Sequence, residues 1–253
     1  MSEKEKELVV SEEVKDLSIF AVEEGQEEHL AQDELEMPFL RLYQKMTKVE
    51  IEGAIPGKFF NTVSEEVYGD TLKIQVHGYF HNYTKWMGPK GNGEYRGSMS
   101  TTEFKEFAKT AEPPLEQEGG DMTHTVENGA LRYTATHNFI VSLPDYPEEG
   151  IMIYPLSSTG CKVARKWNSL NNARRVNGKP TKRYATVWEL VTSGFESKGF
   201  AYKQVSKIKA VGWVTKELYD FGKSFEEFVK SIKEQGVKYA DEGTAEEANV
   251  SNF

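Results

Sequence analysis

A single cysteine, Cys161, stands among 253 residues. It has no internal partner for a disulfide, so the chain is no disulfide scaffold and a reducing compartment is expected. No run of about 18 apolar residues occurs, so no membrane span and no membrane partner are expected. The opening MSEKEKELVV lacks a cationic stretch followed by an apolar one, which argues against a secretory signal. A cytoplasmic protein is the expectation. Catalytic signatures are missing too. There is no HExxH, no glycine loop ending in GK[ST], no GxGxxG opening a helix and no GxSxG elbow.

What the chain does have is segregated charge. The formal net charge is -9, yet residues 1–37 hold 13 acidic and 3 basic side chains, and residues 238–253 hold 4 acidic and 1 basic. The body between them is net +4, and Gly160 to Lys216 carries 13 Lys and Arg against only Glu189 and Glu196. A basic stripe between acidic ends suggests a polyanion binder that carries its own anionic competitor. Residues 1–36, Glu-rich and poor in aromatics, cannot bury enough surface to offset chain entropy and are expected to be disordered. Residues 37–237 are expected to form one domain, and residues 238–253 a flexible acidic tail.

Strand and turn signals dominate the body. KFFNTV (58–63) follows the Pro56-Gly57 turn, and Thr71 to Trp86 alternates apolar and polar residues as a half-buried strand does. The run 88–97 is a glycine-rich loop, and Ser100 with Glu103 predicts a capping box for a short helix carrying Phe104 and Phe107. Asn128-Gly129 predicts a hairpin joining 122–127 to Ala130–Leu143. Ile151–Pro155, Tyr184–Thr192 and Phe200–Thr215 read as further strands. A helix is expected from Ser157 to about Arg174, with Cys161, Ala164 and Leu170 inward. Asn177-Gly178 marks a second tight turn, and Ser224 with Glu227 predicts a second capping box opening a helix with Phe225, Phe228, Val229 and Ile232 on one face. The fold class is mostly β with peripheral helices: an OB-fold-like antiparallel barrel of five strands, enlarged by insertions at about 88–121 and 157–180.

Lys162–Arg183 contains no acidic residue, and Trp167, Tyr184 and Trp188 lie in or beside it. Aromatic faces stack on unpaired bases while Lys and Arg hold phosphates, the combination used for single-stranded nucleic acid. Phosphate contacts are expected from Arg165, Lys166, Arg174, Arg175, Lys182, Arg183 and Lys203. Trp167, Trp188 and Tyr202 are the first stacking candidates, with Tyr83 and Trp86 behind them. Tyr79 and Tyr83 share a strand face, and Trp86 lies on the other unless a bulge intervenes. His77 and His81 lack the helical zinc geometry. His124 and His137, on adjacent strands, have no third ligand nearby, so neither a metal nor another cofactor is expected.

These features resemble bacteriophage single-stranded DNA-binding proteins of the T7 type: a β-barrel core, a basic and aromatic cleft, and an acidic C-terminal tail ending in Phe. The segment PFLRLYQKM…PGKFFNTVSEEVYG…LKIQVHGYFHNYTKW is also similar to the opening of a group of phage-encoded early proteins. The tail here is less densely acidic than that family's, because Asn249, Val250, Ser251 and Asn252 separate the last acid from Phe253. The resemblance implies sequence-independent binding of single-stranded DNA in phage replication, recombination or repair, without catalysis, in the host cytoplasm. It implies that Asp241, Glu242, Glu246, Glu247 and Phe253 anchor replication proteins, with RNA an allowed ligand and a homodimer an allowed state. The competing expectations are a Mg²⁺-dependent nuclease and an acidic DNA mimic that binds a host protein.

Overall fold

In the computed structural model the alternating run that begins at Thr71 forms one strand of 17 residues, and the rest of the fold is arranged around it. The structure describes residues 37–235, apart from 46, 48, 49, 89–93, 119, 120, 128, 198 and 199. The chain divides into two units between Glu36 and Met37, and the second is the subject here. Residues 1–36 and the tail with Asp241, Glu242, Glu246, Glu247 and Phe253 lie outside the described residues.

The strands are β1 (Leu40–Leu42), β2 (Phe59–Asn61), β3 (Thr71–Met87), β4 (Glu94–Ser100), β5 (Glu116–Glu118), β6 (Asp121–Val126) and β7 (Gly129–Ser142). They continue with β8 (Ile151–Ser157), β9 (Arg175–Val176), β10 (Lys179–Pro180), β11 (Thr186–Ser197) and β12 (Phe200–Trp213). The helices are α1 (Thr101–Thr110), α2 (Gly160–Ala173), α3 (Lys216–Ser224) and α4 (Glu226–Gln235). The fold is mostly β, with one curled antiparallel sheet forming a half-barrel.

The path β12-β11-β3-β7-β6-β5 runs across that sheet, with β4 on β3 and β8 on β7. On one edge of β3, β11 pairs with Thr71–Gln75 and β4 with Asn82–Met87. On the far edge of β7, β6 pairs with Gly129–Tyr133 and β8 with Thr136–Ser142. The β3–β7 ribbon therefore belongs to two five-stranded halves. In the first half, β1 lies beside β8 through the Phe39–Ile153 bridge. The Gln44 amide then reaches β12, donating to Lys203 O at 2.7 Å and accepting from Lys203 N at 3.0 Å. A side chain thus bridges the ring where strand pairing stops.

The main core fills the concave face of this first half. Leu72, Ile74 and Val76 of β3 meet Phe139 and Val141 of β7, Trp188 and Leu190 of β11, and Val205 and Ile208 of β12. α2 plugs this face with Ala164 and Trp167. The convex face is covered by α3 and α4. Gln75 Nε2 donates to Tyr184 O and Leu218 O, both at 2.8 Å, and His77 sits between Phe221 and Phe225. Gly78 is required by this packing, since a Cβ there would lie 2.4 Å from Val229 Cγ1.

A bulge at His77 decides what the ribbon presents. Val76 pairs with Val141 and Gly78 with Ile140, so one residue is extra and the faces exchange. Without it Gly78, Phe80 and Asn82 would continue the concave face. With it Tyr79, His81 and Tyr83 do.

Several expectations are corrected. The glycine-rich run 88–97 ends in β4, because its second half pairs with β3. The helix expected after Ser224 forms as α4, but Ser224 does not cap it; its hydroxyl donates back to Phe221 O at 2.7 Å and closes α3, a helix the sequence reading missed. The capping box at Ser100 forms with both reciprocal bonds, 3.2 and 2.7 Å. No helix among the described residues is long and apolar enough to cross a membrane.

Candidate nucleic-acid interface

Beyond the end of the core, the concave face of the ribbon continues as a half-buried floor between α1 and α2. Register places Tyr79 opposite Phe139, His81 opposite His137 and Tyr83 opposite Ala135. Tyr79 Oη lies 2.7 Å from His137 Nδ1, and the His81 and His137 rings are 4.6 Å apart. The α1 side supplies Thr101, whose Oγ1 is 2.7 Å from His81 Nδ1, and Phe104, stacked on Tyr83 at 3.7 Å and 15°. The α2 side supplies Cys161, whose thiol donates to Ala135 O, together with Asn168 and Arg165. From the 3-10 turn Arg183–Ala185, Arg183 reaches in with its guanidinium carbon 5.3 Å from the Tyr79 ring, and it donates to Asn168 Oδ1 at 2.9 Å.

The electrostatics of this floor are one-sided. Segments 71–88, 129–144 and 150–188, which build most of it, contain no Asp or Glu. Burial, then His81 and Arg165, push His137 down to about 4. Burial and Lys105 push His81 down as well. Both imidazoles are thus neutral at pH 7, and burial raises the Tyr79 and Tyr83 hydroxyls. The floor is uncharged and aromatic while its α2 wall is cationic.

The α2 wall departs from ordinary helix chemistry. Its N-cap, Thr159, makes no side-chain cap bond, its first turn has no acid, and Lys162 sits there instead. A cation at that end opposes the helix dipole at a cost of about 0.3–1 kcal/mol. Lys162, Arg165 and Lys166 share the exposed face of α2. None of these three, nor Arg174, Arg175, Lys179 or Arg183, makes an ion pair among the described residues. A local rule broken without structural compensation is characteristic of functional surfaces.

The expected site residues are sorted differently from their place in the sequence. Trp167 and Trp188 are 0% and 1% exposed and offer no face to a base. Trp167 stacks on Phe139 at 4.4 Å and meets Trp188 edge-on at 6.4 Å, so both are core. Arg165 and Lys166 are exposed on α2, Arg174 caps its C-terminal end, and Arg175 opens the β9–β10 hairpin. The Asn177-Gly178 turn of that hairpin has φ of +51° and +76°. Lys182 is engaged, its Nζ 2.7 Å from Glu226 Oε1. Arg183 faces the floor rather than open solvent. Tyr202 stacks on Phe195 at 5.9 Å, and Lys203 lies at the Gln44 bridge. Tyr202 lies eleven strand residues and Lys203 ten from Trp213, roughly 33–36 Å of extended chain. Tyr83 joins the floor, whereas Trp86 falls on the opposite face by register and packs on Tyr95.

Tyr79, His81, His137, Phe104 and Lys162 were not among the expected site residues. The signal available for Tyr79 and His81 was their i, i+2 spacing with Tyr83. His137 pairs with His81, not with His124, because β6–β7 register sets His124 against Leu131. Among the described residues no group of three His, Cys, Asp or Glu is placed to hold a metal ion.

Fold and site together define a half-barrel β protein with a cationic, aromatic groove. Residues 5–235 match the family model described as Pam3 phage gp34-like protein, and the chain belongs to that phage family. No curated protein and no solved structure matches it.

Proposed function

We propose that this phage protein binds single-stranded DNA without sequence preference, protecting or presenting it during replication, recombination or repair in the host cell. The observation that carries the proposal is the pairing of a neutral aromatic floor with a wall of unpaired cations on α2. Bases of a single strand stack on Tyr79, His81, Tyr83 and His137. Phosphates meet Arg165, Lys166 and Lys162 on α2. Base–aromatic stacking contributes about 1–3 kcal/mol per base and tolerates any sequence, because every base has a π face. A duplex hides those faces, so it competes poorly. On this reading the site holds its ligand and carries out no chemical step. Replication proteins are the proposed partners of the acidic tail.

A gel-shift series with single-stranded DNA, duplex DNA and RNA, at low and moderate salt, tests the proposal. Preferential, salt-sensitive retention of single strands is expected. Cys161 gives a site-specific readout because it is the chain's one cysteine and borders the floor. Bound oligothymidylate should slow its alkylation several-fold. Absence of salt-sensitive binding, or binding that leaves Cys161 equally reactive, would refute the proposed groove.

A further inference from the structure

The far end of α2 presents a second aromatic surface, separate from the floor. Trp213, the last residue of β12, is 48% exposed, in contrast to the buried Trp167 and Trp188. Arg174, at the C-terminal cap of α2, lays its guanidinium carbon 4.1 Å from the Trp213 ring centroid. The guanidinium is held there by its Nε, which donates to Thr186 Oγ1 at 3.3 Å. Thr186 is also the register partner of Trp213 on β11, so the platform is fixed by the sheet as well as by the helix. Arg175 and Lys179 flank it, both exposed and both without an ion pair among the described residues.

We infer that Trp213 and Arg174 form a second stacking platform that takes an unpaired base of the same strand that occupies the floor. This rests on the single-stranded DNA reading and adds the strand's path to it. α2 is the ruler: at 1.5 Å per residue, Arg174 lies about 20 Å along the axis from Cys161, which borders the Tyr83 end of the floor, and about 9 Å from Asn168, which borders Tyr79. Its exposed face carries Lys162, Arg165 and Lys166 over the first part of that distance, and Arg174 and Arg175 take over where the helix ends. Phosphates track these cations, while bases turn in onto Tyr83 near the helix N-terminus, onto Tyr79 beside Asn168 and onto Trp213 at the C-terminus. An exposed Trp beside an Arg is also a common protein-binding anchor. The unpaired cations at both ends of α2 favour the polyanion.

Fluorescence titration with an oligothymidylate of about 16 nucleotides, within the site-size range of barrel proteins, tests the inference in a Trp86→Phe background. Trp167 and Trp188 are shielded from stacking there, so the quench reports Trp213. Saturable quenching is expected. Trp213→Ala should weaken binding about 5- to 150-fold, the range for one stacked base. The salt dependence should stay unchanged, since no charge is lost. Trp213→Phe should recover most of the affinity. Binding that neither quenches emission nor weakens in Trp213→Ala would overturn the platform and leave the DNA reading standing, with Trp213 then free to serve a protein partner. No salt-sensitive binding by either protein would instead remove the DNA reading, and the platform with it.

Discussion

Neutralising the exposed face of α2 separates the electrostatic part of the proposed binding from the fold. Lys162, Arg165 and Lys166 are solvent-exposed and unpaired among the described residues, so changing all three to Gln removes charge without opening a cavity. Gln matches Lys and Arg in helix propensity, and losing the cation from the first turn relieves the dipole. The melting temperature should therefore hold or rise slightly. With Lys162, Arg165, Lys166, Arg174 and Arg175 each meeting one phosphate, log affinity should fall against log salt with a slope of about -3.5. The variant keeps two of those contacts and a slope of about -1.4. From 50 to 200 mM salt, roughly, affinity should drop about 130-fold for the natural chain and about 7-fold for the variant. Anisotropy of a labelled oligothymidylate across that range measures both slopes. A variant that folds normally and keeps the natural slope would refute the reasoning, because the phosphates would then lie elsewhere.

Two further outcomes distinguish core from groove. Trp167→Ala should cost about 3–5 kcal/mol of stability, the range for a buried Trp or Phe cut to Ala, while the folded fraction keeps its oligonucleotide affinity; chemical denaturation and anisotropy on one sample check this, and lost affinity with unchanged stability would contradict it. Burial pushes His77 down to about 4, so the folded chain holds it neutral where the unfolded chain, titrating near 6.5, takes a proton. The unfolded state binds more protons between those values, so the stabilisation is complete above about pH 6.5 and is lost as pH falls towards 4. His77 is 6% exposed and accounts for on the order of 3 kcal/mol across the window, with a smaller share from half-exposed His137. His77→Gln should flatten the melting-temperature profile between pH 6.5 and 4, and an unaltered profile would assign the titration to other groups.

Much of the fold was legible because its signals are local. Alternation predicted β3 to within a residue at its end, and reciprocal Ser100 and Glu103 side chains predicted the start of α1. The identity of the site was less legible, because a tryptophan that stacks on a base and one that fills a core have the same chemistry. Position decides between them. Trp167 follows Ala164 by three residues and precedes Asn171 by four, the spacing of a buried helix stripe, and Trp188 alternates with Leu190. The floor was hidden for a different reason. Only the bulge at His77 brings Tyr79 and His81 onto the concave face, and a one-residue irregularity of pairing leaves little trace in one strand's sequence. Likewise, the basic stretch Lys162–Arg183 reads as uniform, yet Lys182 is neutralised by a glutamate 44 residues away.

The shared ribbon has a consequence for recognition. Because β3 and β7 each serve both halves of the sheet, His137 is held between β3 and β8 and Tyr83 between β7 and β4, with helices on both faces of the ribbon. A ligand stacked on Tyr79 and His137 meets a surface that is already preorganised, so little ordering of the protein opposes binding. On the single-stranded DNA reading, the free energy of each stacked base would then reach affinity almost undiminished, and adjustment would fall to the strand's compliant backbone.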